Sequence, residues 1–306
     1  MAKISVFGEP LLELASAASG SVLGAAKLGV AGDTLNTSVY LARLGHDVSF
    51  VTALGTDAYS DAIIGRLQEE GVATENIARH PSRVPGLYAI RTDAEGERYF
   101  TYWRDQSAAR DFFSLDDATS KMSSALDSDL FYFSGISLAI LSPERREELL
   151  GVAQACANRG TQVAFDGNYR PYGWQSVEEA RTCLNAVGRI ASVVLPTSED
   201  DDCLFGQASP AEHAARWRSL GASTVVVKHG PDGAYVLNQS DALEHVNVDA
   251  VIQPIDTTGA GDSFNAAFLA AFLAGQSATQ SAKLGNQLAA KVIQCRGALI
   301  PLSEMP

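Results

Sequence analysis

DTTGAGDSFNAAFLAAFLAG (residues 256–275) joins a loop with almost no side chains to an apolar segment typical of a buried helix. Small residues at Gly259, Ala260 and Gly261 would let backbone N–H groups at the helix start approach an anion, and the helix dipole favours negative charge there. Phosphate is the natural ligand for such a loop. Asp262 would repel phosphate, but it suits this position if it accepts a proton from a hydroxyl that attacks phosphorus. The alternative is an ordinary helix-capping aspartate after a glycine turn.

Upstream of this loop, short apolar runs alternate with segments of helical pattern. The runs predicted as strands are KISVFG (3–8), VSFVTALG (48–55), DLFYFSGIS (129–137), TQVAFDGN (161–168), SVVLPTS (192–198) and STVVVKHG (223–230). Helix starts are predicted at Asp33, as the N-cap of a helix running to Gly45, at Ser142 before Pro143, and at the capping box 209–212. This alternation predicts an α/β fold with a mostly parallel central sheet, helices on both faces, and ligands beyond the carboxyl ends of the strands.

Residues 11–30 and 85–104 break the alternation, because both read as extended chain without an intervening helix. The stretch GLYAIRTDAEGERYFTYWR (86–104) predicts a hairpin that turns at residues 93–96. Period-two spacing puts Phe100, Tyr102 and Arg104 on one face of its second strand and Tyr99, Thr101 and Trp103 on the other. Two interpretations are equally supported: a hairpin buried against the main body or in a dimer contact, and a lid whose inner face covers a ligand.

Charge and composition exclude several classes of protein. The net charge of the 306-residue chain is -13 and no basic run is present, which argues against binding to nucleic acid or to acidic membranes. Nothing like a linker divides the chain. The cysteines are far apart and form no CxxC pair, so reduced thiols are favoured over a metal site at Cys156, Cys183, Cys203 and Cys295. With no secretory signal pattern and no apolar stretch of membrane-spanning length, a cytoplasmic location is expected.

The familiar nucleotide-binding motifs are missing: GxxxxGK[ST], the HRD and DFG elements of protein kinases, and GxGxxG. Instead, AGDTLNTSVYLARLG (31–45), with Gly55 further on, and DTTGAGDSFNAAF (256–268) resemble the two signature regions of the ribokinase-like sugar kinases, the PfkB family. The first region departs from the usual pattern at Thr34, where a small residue is more common, and at Ala31, where many members have glycine. Further matches resemble the branch of this family that phosphorylates the sugar acid 2-keto-3-deoxygluconate: VTALGTD (51–57), residues 86–104, SGISLAILSP (134–143), NYRP (168–171) and RGALIP (296–301).

The resemblance covers nearly the whole chain and implies a single ribokinase-like domain over residues 1–306, with a small β-lid built from segments 11–30 and 85–104. It implies transfer of phosphate from ATP to the terminal C6 hydroxyl, with Mg²⁺ carried by ATP. Asp262 would be the general base, and Gly259, Ala260 and Gly261 would form the anion hole. Members of the family often pair through their lids, so a homo-oligomer is a further expectation.

The resemblance also assigns binding residues. Those for the sugar acid are Gly32, Asp33, Asn36, Tyr88, Tyr102, Arg104, Arg170 and Asp262. Those for ATP are Asn168, Thr197, Lys228, Gly230, Gly233, Gly259, Ala260, Gly261 and Asn286. The two arginines could bind the substrate carboxylate; the alternatives are a surface cation for Arg104 and an ion pair with Asp166 for Arg170.

One nucleotide-site motif departs from the family pattern, because Thr197–Asp200 stands where many members have Asn-x-x-Glu. Two other functions remain open: kinase action on a neutral sugar such as fructose or ribose, and non-catalytic sugar binding.

Overall fold

The computed structural model describes residues 1–16, 23–92, 98–238 and 242–305. The strands are β1 (Lys3–Phe7), β2 (Leu11–Ser16), β3 (Ala26–Ala31), β4 (Asp47–Leu54), β5 (Ile77–Arg79), β6 (Gly86–Thr92), β7 (Arg98–Trp103), β8 (Leu130–Ser134), β9 (Gln162–Asp166), β10 (Val193–Val194), β11 (Thr224–Lys228), β12 (Ala234–Leu237) and β13 (Leu243–Val246). The α-helices are α1 (Asp33–Arg43), α2 (Ala58–Glu69), α3 (Ala118–Leu126), α4 (Gly135–Ala139), α5 (Pro143–Arg159), α6 (Val177–Gly188), α7 (Ser198–Phe205), α8 (Pro210–Leu220), α9 (Ala260–Leu273) and α10 (Ala278–Val292).

Within these ranges, a nine-stranded sheet has the order β13-β12-β11-β10-β9-β8-β1-β4-β5. Every neighbouring pair from β5 to β11 is parallel, and β12 and β13 continue the sheet as an antiparallel edge. The six predicted strand segments are all strands of this sheet, so the predicted mostly parallel α/β architecture is confirmed.

Helices cover both faces of the sheet, and the strand sequences reflect this. In β8, Phe131 and Phe133 belong to one apolar cluster, whereas Leu130 and Tyr132 belong to the cluster on the other face. A strand buried on both faces needs an almost continuous apolar sequence, which is why the runs could be recognised without alternation. Helix α9 is central to the second cluster and is buried from Ser263 to Ala271.

A small sheet with the order β3-β2-β6-β7 is formed by the segments predicted to lack a helix. Strands β6 and β7 pair antiparallel, with Tyr88 opposite Tyr102, as the hairpin interpretation requires. The predicted turn at residues 93–96 lies outside the described residues. Strand β2 lies between β3 and β6, and Glu13 pairs with Tyr88 in its parallel register with β6.

All three predicted helices begin where expected, but the predicted cap is confirmed in two cases and wrong in one. The Ser142 side chain caps α5 with Pro143 in its first turn, and Ser209 and Glu212 form the capping box of α8. The N-cap of α1 is Gly32, and Asp33 is the first residue of the helix. Its carboxylate does not cap α1 because it accepts hydrogen bonds from side chains of two other segments.

Two further features bear on the expectations from composition. Within the described part of the chain, no helix combines the length and the apolar character needed to cross a membrane. The four cysteines are free thiols.

Candidate active site

A cleft of about 1260 Å³ lies between the carboxyl edge of the main sheet and the small sheet. Its lining includes most residues that the resemblance assigned to substrate or nucleotide: Gly32, Asp33, Asn36, Tyr88, Tyr102, Arg104, Asn168, Arg170, Thr197, Lys228, Gly259, Gly261 and Asp262. Residues from distant segments therefore meet at one place. Four predicted ATP residues, Ala260, Gly230, Gly233 and Asn286, are not among the described residues that line the cleft.

The loop before α9 has the geometry of an anion site. Gly259 is the N-cap with φ 76° and provides no side-chain cap, and a Cβ at this position would lie 2.7 Å from the carbonyl oxygen of Ala298. The N–H of Ala260 donates to the carbonyl oxygen of Thr257 at 3.2 Å, and the N–H of Ser263 closes the first helical turn onto Gly259. The amides of Gly261 and Asp262 make no backbone hydrogen bond to a described residue. The same is true of the Gly259 amide, so of the three residues predicted to form the anion hole only Ala260 has its N–H engaged. The anion hole at residues 259–261 stays a prediction.

Asp262 lies in the first turn of α9 beside α1. Its Oδ2 accepts a hydrogen bond from Asn36 Nδ2 at 2.8 Å. Burial, followed by the negative charge of Asp33, raises the pKa of Asp262 to about 8, against the lowering effect of the Asn36 hydrogen bond. A carboxylate with a pKa near neutrality is suited to exchange a proton with a substrate hydroxyl.

Asp33 connects the start of α1 to two loops at the sheet edge. Its Oδ2 accepts hydrogen bonds from Ser134 Oγ at 2.5 Å and from Asn168 Nδ2 at 2.9 Å. Asn168 has φ 31°, an uncommon value for a residue other than glycine. Asn168 was assigned to ATP, but its amide lies with the predicted sugar ligand Asp33.

The two predicted carboxylate-binding arginines are each paired with an acid. Arg104 Nε donates to Glu9 Oε2 at 2.9 Å, and Nη2 contacts the same oxygen. The Arg104 side chain is only 11% exposed, so the surface-cation alternative is wrong. Arg170 pairs with Asp200 at 2.8 Å, whereas the predicted alternative partner, Asp166, is bound by Lys228.

The inner face of the small sheet presents tyrosines to the cleft. Tyr88 donates a short hydrogen bond to Glu13 Oε2, and burial and this carboxylate raise the pKa of Tyr88, so the hydroxyl keeps its proton. The rings of Tyr102 and Tyr172 are 5.3 Å apart. On the other face, Trp103 is 59% exposed. Tyr99, predicted to share a face with Trp103, nevertheless lines the cleft together with Phe100 and Tyr102.

Apart from residues 259–261, the predicted nucleotide residues lie at or just after the ends of β9, β10 and β11 and on α10. Thr197 is the N-cap of α7 and forms a bridge with Lys228. Asn286 is buried, and its Nδ2 donates to the carbonyl oxygens of Val246 and Asn247, so it fixes the end of β13 to α10. Among the described residues, no group of three or more His, Cys, Asp or Glu side chains could hold a metal ion.

Several residues of the cleft were missed by the sequence analysis. They are Glu9, Asp166, Tyr172 and Asp200 in the cleft lining, and Glu13 behind Tyr88. The spacing of Glu9, Leu11 and Glu13 is the period of a strand face and could have indicated that the two acids lie on the same face of the chain, although not which residues they meet. Asp166 could have been found as the last residue of β9, at the carboxyl edge of the sheet.

Comparisons with known proteins agree with this geometry. The model of the pfkB family carbohydrate kinases matches residues 1–305. A protein of Dickeya dadantii called 2-dehydro-3-deoxygluconokinase is 43% identical over 99% of this chain and 98% of its own length. The crystal structure of the 2-dehydro-3-deoxygluconokinase of Thermotoga maritima superposes with a TM-score of 0.88 at 24% identity, covering 99% of this chain and 98% of that one. A ribokinase-like protein of Escherichia coli, solved with ATP and Mg²⁺, has a TM-score of 0.84 at 23% identity, with coverage of 97% and 94%. The chain belongs to the pfkB family of carbohydrate kinases.

Proposed function

We propose that this kinase transfers the γ-phosphoryl group of ATP to the C6 hydroxyl of 2-keto-3-deoxygluconate, giving 2-keto-3-deoxy-6-phosphogluconate and ADP. One observation carries the proposal: the carboxylate of Asp262 borders the same cleft as Arg104 and Arg170, beside amides at residues 259, 261 and 262 that make no backbone hydrogen bond to a described residue. The substrate is the one in the name of the 43% identical relative, 2-dehydro-3-deoxygluconate being the same compound.

In the proposed reaction, Asp262 accepts the proton of the C6 hydroxyl as its oxygen attacks the γ-phosphorus. The amides of Gly259 and Gly261, together with that of Asp262, stabilise the charge on the phosphoryl oxygens, and Gly259 also provides the left-handed turn before α9. Ala260 was predicted to be part of the anion hole; because its N–H is engaged with Thr257, its proposed contribution is to the backbone of the turn. Mg²⁺ is proposed to arrive with the ATP phosphates; the similar E. coli protein was solved with both ATP and Mg²⁺.

The substrate carboxylate is proposed to bind the outer edges of Arg104 and Arg170. Glu9 occupies Nε and Nη2 of Arg104, and Asp200 and the Tyr169 carbonyl occupy Nη1 of Arg170. A guanidinium has five N–H donors, so each arginine keeps donors for a second carboxylate. Tyr88 uses its proton on Glu13 and is therefore an acceptor toward the ligand, which suits a sugar hydroxyl.

The remaining expectations are proposals about the whole molecule. We take residues 1–306 as one kinase domain, with the small sheet as a lid whose inner face covers the sugar. The outer face, where Trp103 is 59% exposed, is proposed to pair with a second copy of the chain. A cytoplasmic location and the lack of a nucleic-acid partner fit the net charge of -13 and the substrate.

A neutral-sugar kinase is the second candidate, and the pairing of both arginines with acids favours it. Glu9 and Asp200 already neutralise the two guanidinium groups. A cleft built for a neutral sugar would use these arginines as hydrogen-bond donors without needing their net charge. A non-catalytic sugar-binding protein is opposed by the intact Asp262 and glycine loop.

The test is ADP release from MgATP in a coupled assay with 2-keto-3-deoxygluconate, gluconate, fructose and ribose under identical conditions. Strong preference for the keto-deoxy acid is the expected result. Preference for fructose or ribose would keep the fold and the base but discard the carboxylate-binding role of the arginines.

A further inference from the structure

Lys228, Asp166 and Asn265 form a closed ring of buried hydrogen bonds beneath the first turn of α9. Lys228 Nζ donates to Asp166 Oδ1 at 3.0 Å and to Asn265 Oδ1 at 3.1 Å. Asn265 Nδ2 donates to Asp166 Oδ2 at 2.8 Å and to the hydroxyl of Tyr132 at 3.2 Å. All four residues are buried.

This ring uses two of the three N–H donors of the ammonium group. Lys228 lines the cleft, and its side chain is 9% exposed, so the small accessible part opens toward the ligand. A Cβ on Gly261 would lie 3.7 Å from Nζ, which places the ammonium directly beside the backbone of the proposed anion hole. Among the described residues no partner accepts the third N–H, which we place where the transferred phosphoryl group would lie.

The ring also explains how a flexible side chain could be held at this point. A buried ammonium needs a counter-charge, and Asp166 provides it. Asn265 holds the other oxygen of Asp166 and so restrains the rotation of that carboxylate. Asn265 is three residues after Asp262 on α9, a spacing that makes two residues neighbours on one helix face. The same helix face thus carries the proposed base and one support of the lysine.

We infer that Lys228 is a catalytic residue of phosphoryl transfer, beyond the predicted role in binding ATP, and that Asp166 and Asn265 are its positioning residues. The inference rests on the proposed function. During transfer, the bond from the sugar oxygen to the γ-phosphorus forms and the bond from that phosphorus to the β,γ-bridging oxygen breaks. The hydroxyl proton goes to Asp262 and ADP leaves. Lys228 keeps its protons and stabilises the charge on the phosphoryl oxygens.

The experiment compares the full-length wild type with Lys228→Met, Asn265→Leu and the surface control Lys283→Met. For each protein, one titration measures the affinity for MgADP. A second measures the affinity for MgADP with aluminium fluoride and the sugar, which together imitate the transferring phosphoryl group. Turnover and the unfolding temperature are measured in parallel.

Lys228→Met is expected to lose on the order of 100-fold in kcat and in affinity for the aluminium fluoride complex, with MgADP affinity nearly unchanged. Asn265→Leu should lose roughly tenfold in the same two quantities, again with MgADP affinity nearly unchanged. Lys283→Met should behave like the wild type in all of these measurements. If Lys228→Met loses affinity equally for MgADP and for the aluminium fluoride complex, Lys228 only binds the nucleotide and the inference is overturned. If neither affinity falls, the ring is purely structural and the inference is again overturned. If Asn265→Leu does not fold, Lys228→Gln, which keeps a donor without the charge, must show the same split for the inference to stand.

The wild-type arm separates this inference from the proposed function. Turnover with a neutral sugar only would overturn the proposed substrate, and the titrations would then use that sugar and still decide the role of Lys228. Absence of turnover with every sugar, together with no aluminium fluoride complex, would overturn both.

Discussion

Asn36 Nδ2 donates a 2.8 Å hydrogen bond to Asp262 Oδ2, joining the first turns of the neighbouring helices α1 and α9 at the wall of the cleft. This contact favours the ionised carboxylate, whereas burial and the charge of Asp33 disfavour it, and the balance raises the pKa of Asp262 to about 8. The group proposed as base is therefore poised near the pH at which it would work.

A general base with this pKa makes activity depend on pH. We expect kcat/KM to fall as pH decreases below about 8, because the protonated carboxyl cannot accept the hydroxyl proton. Asn36→Ala should move this limb to higher pH, since it removes a hydrogen bond that favours ionisation. The measurement is the pH profile of kcat/KM for both proteins. A profile that is flat from pH 6 to 9, after the coupling enzymes are controlled for, would contradict the assignment.

The same pKa predicts a gain in stability when the acid is removed. The pKa of Asp262 in the folded state is raised above the ordinary aspartate value of 3.8, so the folded state binds the proton more tightly and wild-type stability falls as pH rises toward 8. Asp262→Asn should therefore be more stable than wild type, with a difference that grows by up to about 1.4 kcal/mol per pH unit and levels above pH 8. Urea unfolding without ligands at pH 6, 7, 8 and 9 measures it. A difference independent of pH would show that Asp262 is ionised throughout.

The buried pair of Glu9 and Arg104 predicts separate effects on binding and stability. Arg104→Ala should raise KM for the sugar acid by a factor equivalent to about 1.5 to 3 kcal/mol of binding free energy, the range for a charged hydrogen bond. It should also lower the stability of the fold, because Glu9 is left buried without its partner. The double variant Glu9→Gln/Arg104→Ala should recover much of the stability but not the KM. Steady-state kinetics and thermal unfolding are the measurements. Recovery of KM in the double variant would place Arg104 outside the substrate site.

The turn before α9 predicts a contrast between two glycines. Gly259 and Gly275 both have left-handed φ values, 76° and 88°, so alanine is strained at either position. A Cβ at Gly259 would also lie 2.7 Å from the Ala298 carbonyl oxygen, whereas no atom lies within 4 Å at Gly275. Gly259→Ala should therefore lower both the unfolding temperature and kcat, and Gly275→Ala should lower only the unfolding temperature, by less. Equal kcat losses in the two variants would separate the anion-hole geometry from this turn.

The sequence predicted the fold well because its signals are local. Strands buried on two faces are continuous apolar runs, and caps such as Ser142 and Ser209 are read from neighbouring residues. The cleft lining was predicted largely through family resemblance. Contacts between distant segments were not, because no local pattern states which acid meets which base. An ion pair with Asp166 was the predicted alternative for Arg170, yet in the structure Arg170 pairs with Asp200, and Asp166 pairs with Lys228.

The prediction that Asp33 caps α1 was wrong for a related reason. An aspartate after glycine at a helix start is a standard capping signal. Here the carboxylate accepts hydrogen bonds from Ser134, the last residue of β8, and from Asn168, which follows β9. Both residues lie next to α1 only in the folded chain.

The central claim is that Asp262 is the base for phosphoryl transfer to the sugar acid. The most direct measurement compares Asp262→Asn with wild type for turnover of 2-keto-3-deoxygluconate with MgATP and for binding of the sugar acid. We expect kcat to fall by at least about 100-fold, on the order of 3 kcal/mol of barrier, with sugar affinity nearly unchanged. Turnover of Asp262→Asn close to that of wild type would contradict the account.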